Sequence, residues 1–180
     1  MGEALETQRG AGLARATNGR RYFVLAGAII LLDQASKYGL MISFAPGEVL
    51  PVTGFFNLVH VMNPGAAFSF LADAGGWQRW FFIALALAIS AWLILLIRRH
   101  AEERLLAGGA ALVLGGALGN VIDRLRFGAV IDFLDFHFAG WHWPAFNVAD
   151  SAITLGVALL LVHEFGAARR RSGATGQGKP

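Results

Sequence analysis

The stretch that decides the fold is residues 115–151, GGALGNVIDRLRFGAVIDFLDFHFAGWHWPAFNVADS. It begins inside one strongly apolar segment and ends inside another, yet it contains ionisable side chains, which the hydrocarbon of a membrane disfavours. These side chains are Asp123, Arg124, Arg126, Asp132, Asp135 and Asp150. Charged groups kept next to apolar segments indicate a functional site, so we expect the chemistry of the protein here.

The composition indicates an integral membrane protein. The chain of 180 residues is 56% hydrophobic and 15% charged, and its mean hydropathy is positive. It is too apolar and too poor in charge for an ordinary soluble domain. The net charge of +3 is small and the basic residues lie between the apolar runs, so nucleic acid is not an expected partner. The absence of cysteine excludes disulfides, zinc thiolate sites and thiol nucleophiles.

Four apolar runs are long enough to cross a membrane, which needs about 20 residues of helix. The predicted transmembrane helices cover residues 22–40, 77–97, 105–122 and 147–163. In the third run, Ala111, Gly115 and Gly119 recur every four residues. This spacing predicts a face of small residues that allows close contact between helices.

The basic residues predict the orientation of these helices. They are concentrated before the first helix, between the second and third, and after the fourth, so the positive-inside rule places both termini in the cytoplasm. The membrane domain then covers residues 22–168, between disordered cytoplasmic tails at residues 1–21 and 169–180. Residues 45–76, rich in Pro and Gly and partly β-prone, are predicted to form a folded extramembrane segment, with a turn into a short helix at residues 63–69.

Asp132 and Asp150 are the candidate catalytic pair. Asp132 follows an apolar triplet just outside the third helix, and Asp150 lies in the opening turn of the fourth. The loop between those helices allows the two carboxylates to converge. Two facing carboxylates can share one proton, because like charges raise the pKa of one partner while the other stays ionised. Such a pair can serve as general base and general acid, activating water against an amide without a covalent intermediate.

A structural interpretation is available for the same aspartates. Asn147 is a favoured N-cap residue, and Asp150 lies three positions later, where helix-end amides stabilise negative charge. Asp132 and Asp135 can be solvated residues at the edge of a loop. Each aspartate alone is explained by such a role, whereas their accumulation on one side of the membrane favours a site.

Ion pairs explain other charged residues of this region. Asp33 and Lys37 are four apart with the acid first, so they share a helix face and predict a salt bridge near the outer end of the first helix. For Asp123, the structural interpretation is a pair with Arg124 or Arg126, its near neighbours in sequence.

Other chemistries have less support. His137 and His142 could join an aspartate at a metal, but their spacing matches no defined ligand pattern, so we expect no metal and no cofactor. No serine hydrolase or zinc protease motif occurs. A small proton-coupled transporter or channel, or a non-catalytic assembly subunit, remains an alternative, since acids in membrane segments are also typical of ion pathways.

Five motifs occur in order along the chain. They are LDQASK (32–37), NPGAAFS (63–69), GALGNVIDR (116–124), VIDF (130–133) and FNVADS (146–151). This ordered set resembles that of the lipoprotein signal peptidases of type II, and the resemblance covers about residues 22–165.

The resemblance implies an aspartic peptidase in the bacterial inner membrane: an all-α integral membrane protein of four transmembrane helices with a small extramembrane β-cradle. It implies removal of the signal peptide from prolipoproteins, by a cut before a cysteine that carries diacylglycerol. The implied partners are diacylglyceryl-prolipoprotein substrates and membrane lipids, and the enzyme is expected to be a monomer with its site at the outer face.

The resemblance also assigns roles to particular residues. The implied catalytic residues are Asp132 and Asp150. The residues implied to line or support the site are Asn63, Asn120, Arg124, Asn147, Asp33, Lys37 and Asp123. Residues 136–144 resemble the motif set less, and their role is open.

Overall fold

Four long helices dominate the computed structural model, which describes residues 2–65 and 76–176. They are α1 (Gly2–Ser43), α2 (Trp77–Arg99), α3 (Arg104–Phe127) and α4 (Val148–Gly176). All four contain segments long and apolar enough to cross a membrane; in α1 this segment is Gly19–Ser43, and in α4 it is Val148–Arg169. Each predicted span lies within an observed helix, apart from Asn147, which precedes α4. The predicted fold class is confirmed.

The two predicted ends of the membrane domain, at residues 22 and 168, lie within α1 and α4. The backbone of α1 is helical from Gly2, so this helix is longer than the predicted span. The domain boundaries and the disordered tails stay predictions. Most of the predicted turn and short helix at residues 63–69 lies outside the described residues.

Helix α3 is the centre of the bundle. In the apolar segment of α3, 67% of the residues are buried inside the protein, whereas the share is 22% for α1 and α2 and 11% for α4. Its glycines allow this contact: a Cβ added at Gly115 would lie 2.7 Å from the carbonyl oxygen of Ala26 in α1. A Cβ at Gly116 would collide with the carbonyl oxygen of Ala149 in α4. The predicted small-residue face is confirmed, and Gly116 adds a second face that the sequence analysis did not identify.

A four-stranded antiparallel sheet lies at one end of the bundle. Its strands, in spatial order, are β1 (Val49–Thr53), β2 (Phe56–Asn63), β3 (Val130–Phe138) and β4 (Trp141–His142). Strands β1 and β2 follow α1, while β3 and β4 join α3 to α4. In the pairing of β2 with β3, Val61 is opposite Asp132 and Asn63 is opposite Val130. The sheet therefore brings residues of β2 and β3 to the start of α4.

The connection between α3 and α4 is more regular than we predicted. Helix α3 continues to Phe127 and ends at Gly128, whose φ of 82° lets the chain turn into β3. Ala139 and Gly140 both have positive φ and close the hairpin between β3 and β4, which includes most of residues 136–144. Asp132 and Asp135 are thus buried strand residues, and the expectation of a solvated loop edge is wrong.

Candidate active site

Asp132 and Asp150 line one cavity, of about 1180 Å³, between the sheet and the helices. Strand β3 supplies Asp132, and the first turn of α4 supplies Asp150. Asn63, at the end of β2, and Arg124, in the last turn of α3, line the same cavity. The structure thus brings the predicted pair together, although the two residues belong to different elements.

Asp132 is held by two amide side chains. Asn63 donates from Nδ2 to Oδ2 of Asp132 at 2.9 Å, and Asn147 donates from Nδ2 to Oδ1 at 2.7 Å. Asp132 is 1% exposed. Both carboxylate oxygens therefore have a fixed donor, which sets the plane of the group.

Asp150 is held from the side chain and from the backbone. Asn120 of α3 donates from Nδ2 to Oδ1 of Asp150 at 2.7 Å. The backbone N–H of Asp150 donates to Oδ1 of Asn147 at 2.9 Å, which is the bond of a helix N-cap. The capping interpretation of Asn147 is confirmed, but the same side chain also binds Asp132, so capping does not exclude a site.

An amide bridge joins the two carboxylates. Nδ2 of Asn147 lies 3.3 Å from Oδ1 of Asn120, while the two asparagines donate to Asp132 and Asp150 respectively. Asn147 is fully buried and Asn120 nearly so. The bridge fixes how the two carboxylates are presented to the cavity.

A buried ion cluster lies behind this bridge. Nζ of Lys37 is 2.8 Å from Oδ2 of Asp33 and 2.7 Å from Oδ2 of Asp123, and it donates to Oδ1 of Asn120 at 3.1 Å. The predicted pair of Asp33 and Lys37 is confirmed. The expectation that Asp123 pairs with Arg124 or Arg126 is wrong, because Lys37 reaches it from another helix.

Arg124 brings a positive charge to the cavity wall. Its guanidinium lies over the ring of Phe82, 5.1 Å from the ring centre, and its Nη1 is 3.5 Å from the carbonyl oxygen of Asn120. Within the described residues, its buried Nε atom has no hydrogen-bond partner. Arg124 lines the polar part of the cavity, where a guanidinium is suited to binding a carbonyl or an oxyanion.

The electrostatics of the two strand aspartates differ. Burial raises the pKa of Asp132 to about 7; hydrogen bonds from Asn63 and Asn147 oppose the rise and the charge of Asp150 adds to it. Burial also works to raise the pKa of Asp135, but hydrogen bonds from His142 and Asn57 outweigh it and lower the pKa. A proton near neutral pH is therefore available at Asp132 and not at Asp135.

Asp135 belongs to a separate cluster that the sequence analysis did not identify. Asn57 of β2 donates to it at 2.7 Å, and Nδ1 of His142 lies 2.9 Å from its other oxygen. The ring of His137 stacks on His142 with centres 4.9 Å apart. Among the residues that the structure describes, no group of three His, Asp or Glu side chains is placed to hold a metal ion.

Known proteins resemble this chain in sequence and in fold. The profile of the signal peptidase (SPase) II family matches residues 25–166. A lipoprotein signal peptidase of Azoarcus sp. (strain BH72) is 59% identical over 140 residues, 78% of this chain and 80% of that protein. A lipoprotein signal peptidase of Cupriavidus necator is 53% identical over 157 residues, 87% of this chain and 90% of that protein.

Two solved structures share the fold. They are described as bacterial membrane enzyme structures by the in meso method, at 1.9 and 2.3 Å resolution. The first has a TM-score of 0.70 and 30% identity, and the match covers 79% of this chain and 91% of that one. The second has a TM-score of 0.72 and 28% identity, with 89% and 93% covered.

The family profile and the relatives, together with the four apolar helices, identify a membrane peptidase of the aspartic type. The chain belongs to the signal peptidase II family. This membership sets aside the transporter and the non-catalytic assembly subunit as alternatives.

Proposed function

We propose that Asp132 and Asp150 form the catalytic dyad of an endopeptidase. One proton is shared by the pair, so one carboxylate is ionised and the other is protonated. The ionised carboxylate takes a proton from water as the water oxygen attacks the peptide carbonyl carbon. The protonated partner gives its proton to the departing amine as the C–N bond breaks. The observation that carries the proposal is the bridge of Asn120 and Asn147, which binds both carboxylates beside one cavity.

The residues around the dyad take binding and supporting roles in this proposal. Asn63, Asn120 and Asn147 orient the carboxylates through their amide N–H groups. Arg124 stabilises the oxyanion that forms on the peptide carbonyl, a role suited to a guanidinium that lines the same cavity as the two carboxylates. Asp33, Lys37 and Asp123 support the site from behind without contacting substrate.

The proposed substrates are prolipoproteins in which the cysteine after the cut carries diacylglycerol. Relatives at 53–59% identity are lipoprotein signal peptidases. The cavity has charged and amide groups at the sheet and apolar side chains of α4, Leu155 and Ala158, further along. This arrangement suits a peptide bond next to a lipid-modified residue, with the acyl chains between helices and surrounding membrane lipids.

The test of this proposal is cleavage by the purified protein in detergent. The substrate is a synthetic prolipoprotein peptide with a diacylglyceryl cysteine, and the control is the same peptide with an unmodified cysteine. We expect a cut directly before the lipid-modified cysteine and little turnover of the control, because the energy of binding the lipid is used to place the peptide bond. Equal cleavage of both peptides would contradict the proposed substrate class.

The pH dependence of cleavage tests the shared proton. A raised pKa means that the carboxyl of Asp132 keeps its proton to higher pH, so we expect kcat/KM to fall as pH rises through about 7. The hydrogen bond from Asn63 stabilises the ionised form, so Asn63→Ala should move this fall to higher pH. Asn57→Ala, which removes the equivalent bond to Asp135, is the matched control. A profile unchanged in Asn63→Ala, or shifted equally in both variants, would contradict the assignment.

We propose that the protein lies in the inner membrane with both termini in the cytoplasm and the active site at the outer face. Arg98 and Arg99 end α2 and Arg104 begins α3, at the end of the bundle away from the sheet, which the positive-inside rule assigns to the cytoplasm. We also propose that the enzyme acts as a monomer, because one chain supplies both carboxylates.

Cysteine labelling checks the orientation, since the chain has no cysteine of its own. In intact cells, an impermeant thiol reagent should label Phe138→Cys, at an exposed position of the sheet, and should not label Arg99→Cys. Labelling of Arg99→Cys from outside would contradict the proposed topology.

A further inference from the structure

The backbone N–H groups that precede the two active-site aspartates are held in the same way. Ile131, just before Asp132, donates its N–H to Oδ2 of Asp123 at 3.2 Å. Ala149, just before Asp150, donates its N–H to Oδ1 of Asp33 at 2.9 Å. Each reacting residue therefore follows a peptide group that is fixed by a buried carboxylate of α1 or α3.

Lys37 joins the carboxylates of Asp33 and Asp123. It lies within 2.8 Å of both Asp33 and Asp123, and all three side chains are at most 1% exposed. Space for this cluster depends on Gly119, where an added Cβ would lie 2.8 Å from Oδ2 of Asp33. Buried ion pairs contribute little to stability compared with apolar packing, so a cluster of this kind is better explained by the geometry that it specifies.

We propose that Asp33 and Asp123 are positioning residues, which set the separation of the two catalytic carboxylates through the peptide N–H groups of Ala149 and Ile131. Lys37 holds both carboxylates in place through its contacts with Asp33 and Asp123. The proposal rests on the proposed function of Asp132 and Asp150. Strand β3 and helix α4 are thus both anchored to one buried cluster. A shift of either element would change the distance between the carboxylates of Asp132 and Asp150.

The two positioning residues use their oxygens differently. At Asp123, the single oxygen Oδ2 accepts from both Ile131 and Lys37. At Asp33, Oδ1 accepts from Ala149 while Oδ2 accepts from Lys37. An asparagine has only one side-chain oxygen. Asp123→Asn can therefore keep both contacts, whereas Asp33→Asn must lose one of them, and the charge of Lys37 draws the remaining oxygen away from Ala149.

The test compares kcat and KM of Asp123→Asn, Asp123→Ala, Asp33→Asn and Asp33→Ala on the lipid-modified peptide. We expect Asp123→Asn to stay within about ten-fold of the parent kcat and the other three to lose about 100-fold, the order expected for a displacement near 1 Å, with KM unchanged. Gln34→Ala is the matched control, because Gln34 donates to Oδ1 of Asp123 at 2.8 Å and to Oδ2 of Asp33 at 3.2 Å but takes no part in the bonds from Ile131 and Ala149. Its kcat should be close to that of the parent.

Equal kcat in the two Asn variants, or a faster Asp33→Asn, would overturn the positioning role, because a contribution of charge alone treats both positions alike. Should the Ala variants fail to fold, the comparison of the Asn variants still decides, with folded protein quantified by size-exclusion chromatography. A failure of the positioning role can be told apart from a failure of the proposed function. An active Asp132→Asn would overturn the dyad, whereas an inactive Asp132→Asn with equal Asn variants would overturn only the positioning.

Discussion

Asp132→Asn and Asp150→Asn are each expected to abolish cleavage while leaving a folded protein in the membrane. An amide can neither share the proton nor take one from water, so neither variant retains a general base and a general acid together. Each substitution keeps the size of the side chain and one oxygen, which accepts the bond from Asn147 or Asn120, while Asp132→Asn gives up the bond from Asn63. Initial rates on a lipid-modified prolipoprotein, followed by gel shift, measure the loss.

A purely structural role of Asp150 predicts a different result. The cap bond at the start of α4 runs from the backbone N–H of Asp150 to Asn147, and any residue at position 150 except proline supplies it. Asp150→Asn would then cost at most about 1 kcal/mol of stability and keep its turnover. Asp135→Asn is the control, because it lies on the same strand but bonds Asn57 and His142 instead. Loss of activity in Asp135→Asn alone would move the site.

Lys37→Ala is expected to destabilise the protein by about 3–5 kcal/mol, the usual cost of removing one partner from a buried ion pair. The variant leaves the carboxylates of Asp33 and Asp123 facing each other without a cation. Thermal unfolding in detergent measures the effect. Ser36→Ala, which removes only a hydrogen bond to the carbonyl of Asp33, should cost about 1 kcal/mol. A Lys37→Ala protein that is fully stable yet inactive would place Lys37 in the catalytic set.

The helices were predictable because length and apolarity act within one segment. Contacts between helices were less predictable, because they depend on which segments meet in space. The four-residue spacing of Gly115 and Gly119 predicted one close face of α3, but Gly116 contacts α4, and only the packed bundle shows which helix lies there. Strand β3 was missed because residues 130–133 are buried in succession without simple alternation, and its buried positions include two aspartates, although its β-branched and aromatic residues favoured a strand.

The candidate site was likewise only partly predictable from the sequence. Asp132 and Asp150 were identified from motifs and from the chemistry of paired carboxylates. The ion-pair partner of Asp123 could not be identified from its neighbours in sequence, because the cation that contacts it is Lys37 of α1. The bonds from Ile131 and Ala149 to buried carboxylates leave no trace in local sequence, since backbone N–H groups are the same at every residue but proline.

The most direct test of the central claim is a double-mutant cycle on Asp132 and Asp150. Initial cleavage rates are measured for Asp132→Asn, Asp150→Asn and the double variant on one lipid-modified peptide, at equal amounts of folded enzyme. Residues that act as one unit fail together, so the double variant should be little slower than either single variant, each being near background. Near-normal turnover in either single variant, or losses that multiply in the double variant, would contradict a dyad.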